Sequence, residues 1–183
     1  MITPASAAAA TATFRKATLS ETAVLLAFAW CVPFFVHLVP WSGARPLGAY
    51  LQPMYWATFV AAYFFGARIG TVVGLFSPVI NLIVTGLPAW KSIAGMSCEL
   101  LVFACATAWA VRWRPQFLLI APIAYVGAKL VALPVRQLIA PSAGWFDPLF
   151  RSLTGGIAGL VVLAGINVTL VWFYSKETAA ARE

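Results

Sequence analysis

Two oppositely charged side chains lie inside long apolar stretches of the sequence. Glu99 follows Lys91 by eight residues, and Lys129 lies about as deep in the next apolar stretch. Helical rise places both groups at a depth of ~12 to 14 Å, where they can meet across a pocket. An ionised group inside a bilayer costs several kcal/mol unless it is paired or hydrated. The pair therefore predicts either an ion pair that ties two helices together or a site for a polar solute.

Further basic residues are arranged around this pair. Arg136 lies seven residues after Lys129, which is two helical turns along the same face. The predicted outer loops contribute Arg45, Lys91 and Arg151. Together these residues predict a basic funnel suited to an anionic or zwitterionic solute.

Uncharged polar and aromatic residues give weaker signals. Asn81 and Asn167 lie in apolar stretches, where an amide hydrogen-bonds either a ligand or a neighbouring helix. Tyr55 and Trp56 either stack on a planar ligand or belong to an aromatic belt at the membrane interface. His37, near the outer end of the first span, is either an interfacial residue or a ligand contact.

Groups needed for other chemistry are scarce. The chain contains one His and one Asp and has no phosphate-binding or hydrolase motif, so we expect neither an enzyme nor a cofactor. The three cysteines lack the spacing of a metal or disulfide framework and are interpreted as small core residues, and no metal site is predicted. No basic run suggests binding to nucleic acid.

The composition indicates what must position these residues. With 62% hydrophobic and 9% charged residues, the chain lacks the polar surface of a soluble domain, so its solvent must largely be the lipid bilayer. We predict an all-α integral membrane protein with six transmembrane helices in a compact bundle. The predicted spans are 22–39, 54–65, 69–85, 92–111, 117–139 and 154–174. They form a membrane domain over 20–174, between a disordered or amphipathic tail at 1–19 and a cytoplasmic tail at 175–183.

Orientation follows from the positive-inside rule. Placing both termini in the cytoplasm puts most basic residues inside, namely Arg15, Lys16, Arg68, Arg112, Arg114, Lys176 and Arg182. Two Pro- and Gly-rich loops, 40–53 and 140–153, then lie outside. This arrangement predicts an outward-facing pocket covered by lids.

Small residues recur at helical spacing. Ala23 and Ala27 form an A-x-x-x-A pair in the first span, and Gly66, Gly70 and Gly74 repeat along the third. Such faces allow close helix packing. Internal packing explains both sets, and docking of a partner protein is the alternative for the alanine pair.

The stretch GAYLQPMYWATFVAAYFFGARIGTVVGLFSPVINLIVTGLPAW followed by MSCELLVFA resembles the substrate-binding S components of energy-coupling factor transporters. The resemblance covers about residues 20–174, and it lies in the order of Pro-Met-aromatic at 53–55, G-A-R-x-G at 66–70, Pro78, T-G-L-P at 85–88 and Glu99. Tyr55 stands where related sequences often have His, and Ala57 where they often have Pro.

The resemblance implies that the protein captures a vitamin or vitamin precursor from outside a bacterial or archaeal cytoplasmic membrane. It implies three partners, a transmembrane coupling protein and two ATPases, so that any ATP hydrolysis resides in other chains. Ala23 and Ala27 match a docking feature of the family. The alternatives are a membrane scaffold of the cell-shape type, which needs no pocket, and a solitary vitamin carrier. A small carrier or channel would usually show inverted repeats, and the halves of this chain show no clear repeat.

Overall fold

The computed structural model of the protein describes residues 18–43, 46–139, 141 and 144–180. Every regular element in these ranges is an α-helix. In chain order the helices are α1 (Leu19–Leu38), α2 (Leu47–Leu51), α3 (Pro53–Thr85), α4 (Trp90–Trp113), α5 (Ile120–Ile139), α6 (Asp147–Gly155) and α7 (Ile157–Ala180).

The described helices are long and apolar enough for a multi-pass membrane protein. Four of them can cross a bilayer, or five spans result if the bent pair α6 and α7, at 61° to each other, counts as one. Large apolar side chains are exposed around the bundle, as expected where lipid is the solvent, among them Val24, Ile83, Trp109, Val131 and Val161. The structure confirms the prediction of an all-α protein with several helices that can span a membrane. The number of candidate spans is lower than the predicted six because residues 53–85, predicted as two spans, form one element.

That element, α3, is folded back on itself at Gly66. The backbone of Gly66 has φ 78° and ψ −171°, a conformation that is almost restricted to glycine. A Cβ atom added at Gly70 would lie only 2.7 Å from the Cβ of Ala62. Residues eight apart in a continuous helix are separated by ~12 Å, so the two halves of α3 must lie side by side as a hairpin.

Small residues allow the neighbouring helices to approach this hairpin closely. A Cβ at Gly74 would lie 3.1 Å from the Cβ of Leu100, so α4 packs directly on the second half of α3. Ala29 of α1 packs with Ala57 and Val73 of α3 in a buried cluster. The glycine repeat predicted as a close-packing face thus packs inside the bundle at Gly70 and Gly74.

Hydrogen bonds fix the two ends of the bundle. At the hairpin end, the Tyr63 hydroxyl donates to the carbonyl of Pro115, beyond the end of α4, over 2.8 Å. At the other end, Gln52 in the left-handed conformation (φ 49°) joins α2 to α3. Its side-chain oxygen accepts a hydrogen bond of 2.7 Å from the Tyr125 hydroxyl of α5. The first turns of α3 and α4 therefore lie at the end opposite the hairpin turn.

Both segments predicted as loops contain short helices. The segment 41–53 includes α2, and the segment 140–153 includes most of α6, which has Pro148 in its first turn. Proline is tolerated there because the first helical N–H groups have no intrahelical partner. Leu149 of α6 is buried against the bundle. At the C-terminus α7 continues to Ala180, past the predicted end of the span at 174.

Replacing Gly70 by alanine tests the hairpin. The new Cβ would overlap Ala62, so we expect Gly70→Ala to lower the free energy of unfolding by about 1–3 kcal/mol. Gly127→Ala in α5 is the matched control, because a Cβ there meets nothing within 4 Å and alanine favours a helix. Thermal unfolding of the detergent-purified variants compares them. Equal or higher stability of both variants would contradict the fold-back of α3.

Candidate functional site

A cavity of about 440 Å³ lies at the end of the bundle opposite the hairpin turn. Its walls come from α2, the first turns of α3, the first half of α4, the second half of α5, and α6. Its size falls within the range typical of small-molecule sites. The cavity therefore sits where the short helices of both predicted loop segments meet the long helices.

A buried carboxylate, Glu99 of α4, is the centre of the site. Its Oε2 atom accepts a hydrogen bond of 2.7 Å from the Tyr55 hydroxyl and one of 2.9 Å from Lys129 Nζ. The Glu99 and Lys129 side chains are only 2% and 4% exposed. Both residues and Tyr55 line the cavity, so the predicted meeting of the two charges across a pocket is present.

Arg136 forms a second ion pair with the same carboxylate. Its Nε atom lies 2.8 Å from Oε1 of Glu99, although this oxygen accepts no hydrogen bond in the described part of the chain. The Arg136 side chain is 29% exposed, far more than Lys129, and it lines the cavity. The spacing of seven residues along α5 thus brings both cations to one carboxylate from the same side.

Two aromatic rings surround the Lys129 ammonium group. Its Nζ lies 5.2 Å from the centre of the Tyr55 ring and 4.9 Å from that of Tyr125. The two rings pack edge to face, with centres 4.9 Å apart, and Tyr55 packs in the same way on Phe103. A cation over an aromatic face contributes about 0.5–2 kcal/mol. These contacts hold the ammonium group in place where water is nearly excluded.

The charges that line the cavity are unequal. Lys91 and Arg151 are exposed side chains at its rim, and they add to Lys129 and Arg136. Glu99 is the only acidic residue among the lining residues of the described chain. Four cations against one carboxylate leave the cavity wall with a formal excess of positive charge. Four of the five cations of the predicted basic funnel line the cavity, and the fifth, Arg45, lies outside the described residues.

Two glycines allow the junction of α2 and α3 to pack closely against the start of α7. A Cβ at Gly156 would lie 2.4 Å from Gln52 Nε2 and 2.6 Å from the Tyr125 hydroxyl, and one at Gly159 would lie 2.4 Å from the Leu51 carbonyl oxygen. Only glycine permits the junction of α2 and α3 to sit so close to α7. Sequence reasoning missed Gln52 and Tyr125, because one lies in a predicted loop and the other resembles an ordinary apolar-span aromatic.

The two predicted amide residues lie in different surroundings. Asn167 of α7 accepts a hydrogen bond from the Ala121 backbone N–H (2.9 Å) and donates one to the Phe117 carbonyl (3.2 Å). It thereby holds the first turn of α5, far along that helix from Lys129, and it does not line the cavity. The side-chain nitrogen and oxygen of Asn81 are buried without a hydrogen-bond partner in the described chain, and Asn81 also lies outside the cavity lining.

The remaining predicted residues divide between the core, the surface and the part that is not described. Trp56 packs partly buried against the main core, and its buried indole N–H has no hydrogen-bond partner among the described residues. Ala23 and Ala27 are exposed on α1. Arg45 and the side chain of His37 lie outside the described residues.

The described residues contain no group of three or more His, Cys, Asp or Glu side chains that could hold a metal ion. Cys31 and Cys98 are half-buried, and Cys105 is exposed, so the last one does not fit the prediction of a core residue. The polar chemistry of the cavity is that of an ion-pair cluster. Such a cluster can bind a charged or hydrogen-bonding solute.

Comparisons with known proteins give no match. No protein-family model, no curated protein and no solved structure is similar enough to this chain to identify a relative.

Glu99 has two cationic partners, whereas Lys129 has only Glu99 as an ion-pair partner among the described residues, and stability measurements can test this difference. Glu99→Gln would leave the Lys129 ammonium group buried without a carboxylate, whereas Lys129→Met would leave Glu99 paired with Arg136. We expect the first variant to lose about 3–5 kcal/mol of unfolding free energy and the second to lose clearly less. The double variant should recover part of the loss. Thermal unfolding in detergent measures all three, and an equal loss from both single changes would show that Arg136 does not compensate Glu99.

Proposed function

We propose that the protein captures a small water-soluble nutrient, a vitamin or vitamin precursor, as the S component of an energy-coupling factor importer. The observation that carries the proposal is the ion-pair cluster of Glu99, Lys129 and Arg136 on the wall of an end-facing cavity. A purely structural ion pair needs no cavity beside it. The order of motifs in the sequence, which resembles that of this class of transporter, also supports the proposal.

The rim of the cavity fits a site that opens and closes. It is built from two short helices: α2 precedes α3 across a break at Gln52, and α6 precedes α7 across a break at Gly156. Short elements attached at such breaks can move without disturbing the long helices. In the proposed function they act as lids over the captured solute.

The topology proposed for the chain has six crossings. Counting the α3 hairpin as two crossings and the bent pair of α6 and α7 as one gives an even number, which places both termini on the same side. The hairpin end carries Arg68, Arg112 and Arg114, so the positive-inside rule puts this end in the cytoplasm. The cavity then faces outward in a bacterial or archaeal cytoplasmic membrane.

The proposed partners are a transmembrane coupling protein and two ATPases. The sequence has no phosphate-binding loop of its own, so this chain supplies the solute site and the ATPases supply the energy. Ala23 and Ala27 are exposed along α1, next to Val24, which is 67% exposed. This small-residue face is the proposed docking surface for the coupling protein.

A binding screen tests the capture function. We expect one compound among water-soluble vitamins and their precursors to raise the unfolding midpoint of the detergent-purified protein, since a ligand at a hundred times its Kd adds about 2.7 kcal/mol. Glu99→Gln should weaken that compound's affinity tenfold or more, which is about 1.4 kcal/mol or above.

Glu21→Gln is the matched control for this screen, because it makes the same change in the capping box of α1, outside the cavity. Its affinity should equal that of the unmodified protein, as measured by titration calorimetry. If no compound binds, the capture proposal fails. If Glu99→Gln binds normally but unfolds more easily, Glu99 has a structural role alone.

Bulky residues on α1 test the docking surface. Ala23→Trp and Ala27→Trp should leave solute affinity unchanged and abolish uptake in cells that contain the partner subunits, because tryptophan prevents close helix approach. The control is Val161→Trp, at an exposed position of α7. Radiolabelled uptake measures the effect, and normal uptake by both alanine variants would remove this assignment.

A further inference from the structure

The ion-pair cluster of Glu99, Lys129 and Arg136 contains one more cation than its carboxylate neutralises. Lys129 and Glu99 are both nearly inaccessible and form a neutral pair at 2.9 Å. Arg136 approaches the other oxygen of the same carboxylate, so two cations share one negative charge. The cluster therefore carries one net positive charge, which an anion in the cavity can neutralise.

We propose that the captured solute is a small carboxylate anion and that Arg136 binds its carboxylate group. This inference rests on the capture function proposed above and names the class of its substrate. Lys129 and Tyr55 are positioning residues in this arrangement, because they hold Glu99 and thereby fix the guanidinium group.

The geometry of Arg136 suits this role. Its Nε is directed to the Glu99 side, while its two terminal nitrogens have no hydrogen bond or ion pair with any other residue of the described chain. The side chain is 29% exposed and lines the cavity. A guanidinium group with free terminal N–H groups matches the two oxygens of a carboxylate better than an ammonium group does.

The wall opposite Arg136 leaves room for this group. A Cβ at Gly95 of α4 would lie 3.3 Å from Arg136 Cγ and 3.8 Å from its Nε, so a larger residue would press on the arginine. Gly95 itself lines the cavity. The glycine therefore lets the arginine side chain run along α4 into the cavity.

The rest of the lining favours an anion with a partly apolar body. Lys91 and Arg151 at the rim add positive charge that attracts anions and repels cations as they approach. Met54, Met96 and Ile139 supply apolar wall. A solute with a carboxylate at one end and an apolar portion at the other matches this distribution.

Pairs of an acid and its neutral amide or alcohol analogue test the inference. The probes are nicotinate with nicotinamide, biotin with biotin amide, and pantothenate with pantothenol, each pair differing mainly in the charged group. Titration calorimetry on the detergent-purified protein gives both affinities of each pair. We expect at least one acid to bind ten times more tightly than its neutral partner.

Arginine variants assign the preference. Arg136→Gln should remove the preference for the acid while changing the affinity for the neutral partner less than threefold, and Arg136→Lys should restore part of it. Arg68→Gln, the same change at an exposed residue beyond the hairpin turn, is the control and should keep the preference.

The outcomes separate this inference from the capture function. If a neutral member binds as well as its acid, the solute is not recognised as an anion, although capture stands. If the acid preference survives in Arg136→Gln, another residue binds the carboxylate. An equal loss for both members would make Arg136 a structural residue. A further outcome is that a different nutrient binds, while no member of any pair does. In that case a nutrient with a carboxylate supports the inference, and a neutral or cationic nutrient overturns it. If nothing binds, capture and the inference fail together.

Discussion

The structure depends on providing partners for the Glu99 carboxylate, which is buried among apolar helices. Removing an ion from water costs several kcal/mol even after the protein relaxes, and this cost is offset only by close partners of opposite charge and by hydrogen bonds. Glu99 has both, from Lys129, Tyr55 and Arg136, which come from two other helices. The positions of α3, α4 and α5 at this end of the bundle are therefore coupled through one carboxylate.

Close approach of the backbones makes that coupling possible. The hairpin in α3 turns on Gly66. Gly70 lets its two halves meet closely at Ala62, and Gly74 lets the second half approach α4 at Leu100. Without hydrophobic driving force between helices in lipid, such packing and interhelical polar contacts are what hold a bundle together. Tyr55 reaches Glu99 because the first half of α3 is held this close.

The two ends of the bundle differ in kind. The hairpin end is closed by a tight glycine turn and by the hydrogen bond from Tyr63 to Pro115. At the other end, the short helices α2 and α6 surround a cavity with excess positive charge. A difference between the two ends suits the proposed function, in which the protein receives a solute on one side of a membrane and contacts partner subunits at another surface.

The sequence by itself determined the class of the molecule and the central pair of the site. Composition excluded a water-soluble fold, because 9% charged residues cannot cover a surface in water. Equal depth in adjacent apolar stretches predicted the meeting of Glu99 and Lys129, since helical rise is nearly constant. The seven-residue spacing predicted that Arg136 would join them on the same face.

Tertiary structure alone decided the rest. The segments 41–53 and 140–153, predicted as loops, contain short helices. Proline is typical of loops but is also common in the first turn of a helix, and only the packing of Leu149 distinguishes the two in α6. For Asn167 the sequence left a ligand contact and an interhelix hydrogen bond open. The structure shows the second, through backbone partners at the start of α5 that no local pattern reveals. The bond of Gln52 to Tyr125 joins residues 73 positions apart. Local spacing sets which face a residue occupies, whereas partners at such separations depend on how whole helices pack.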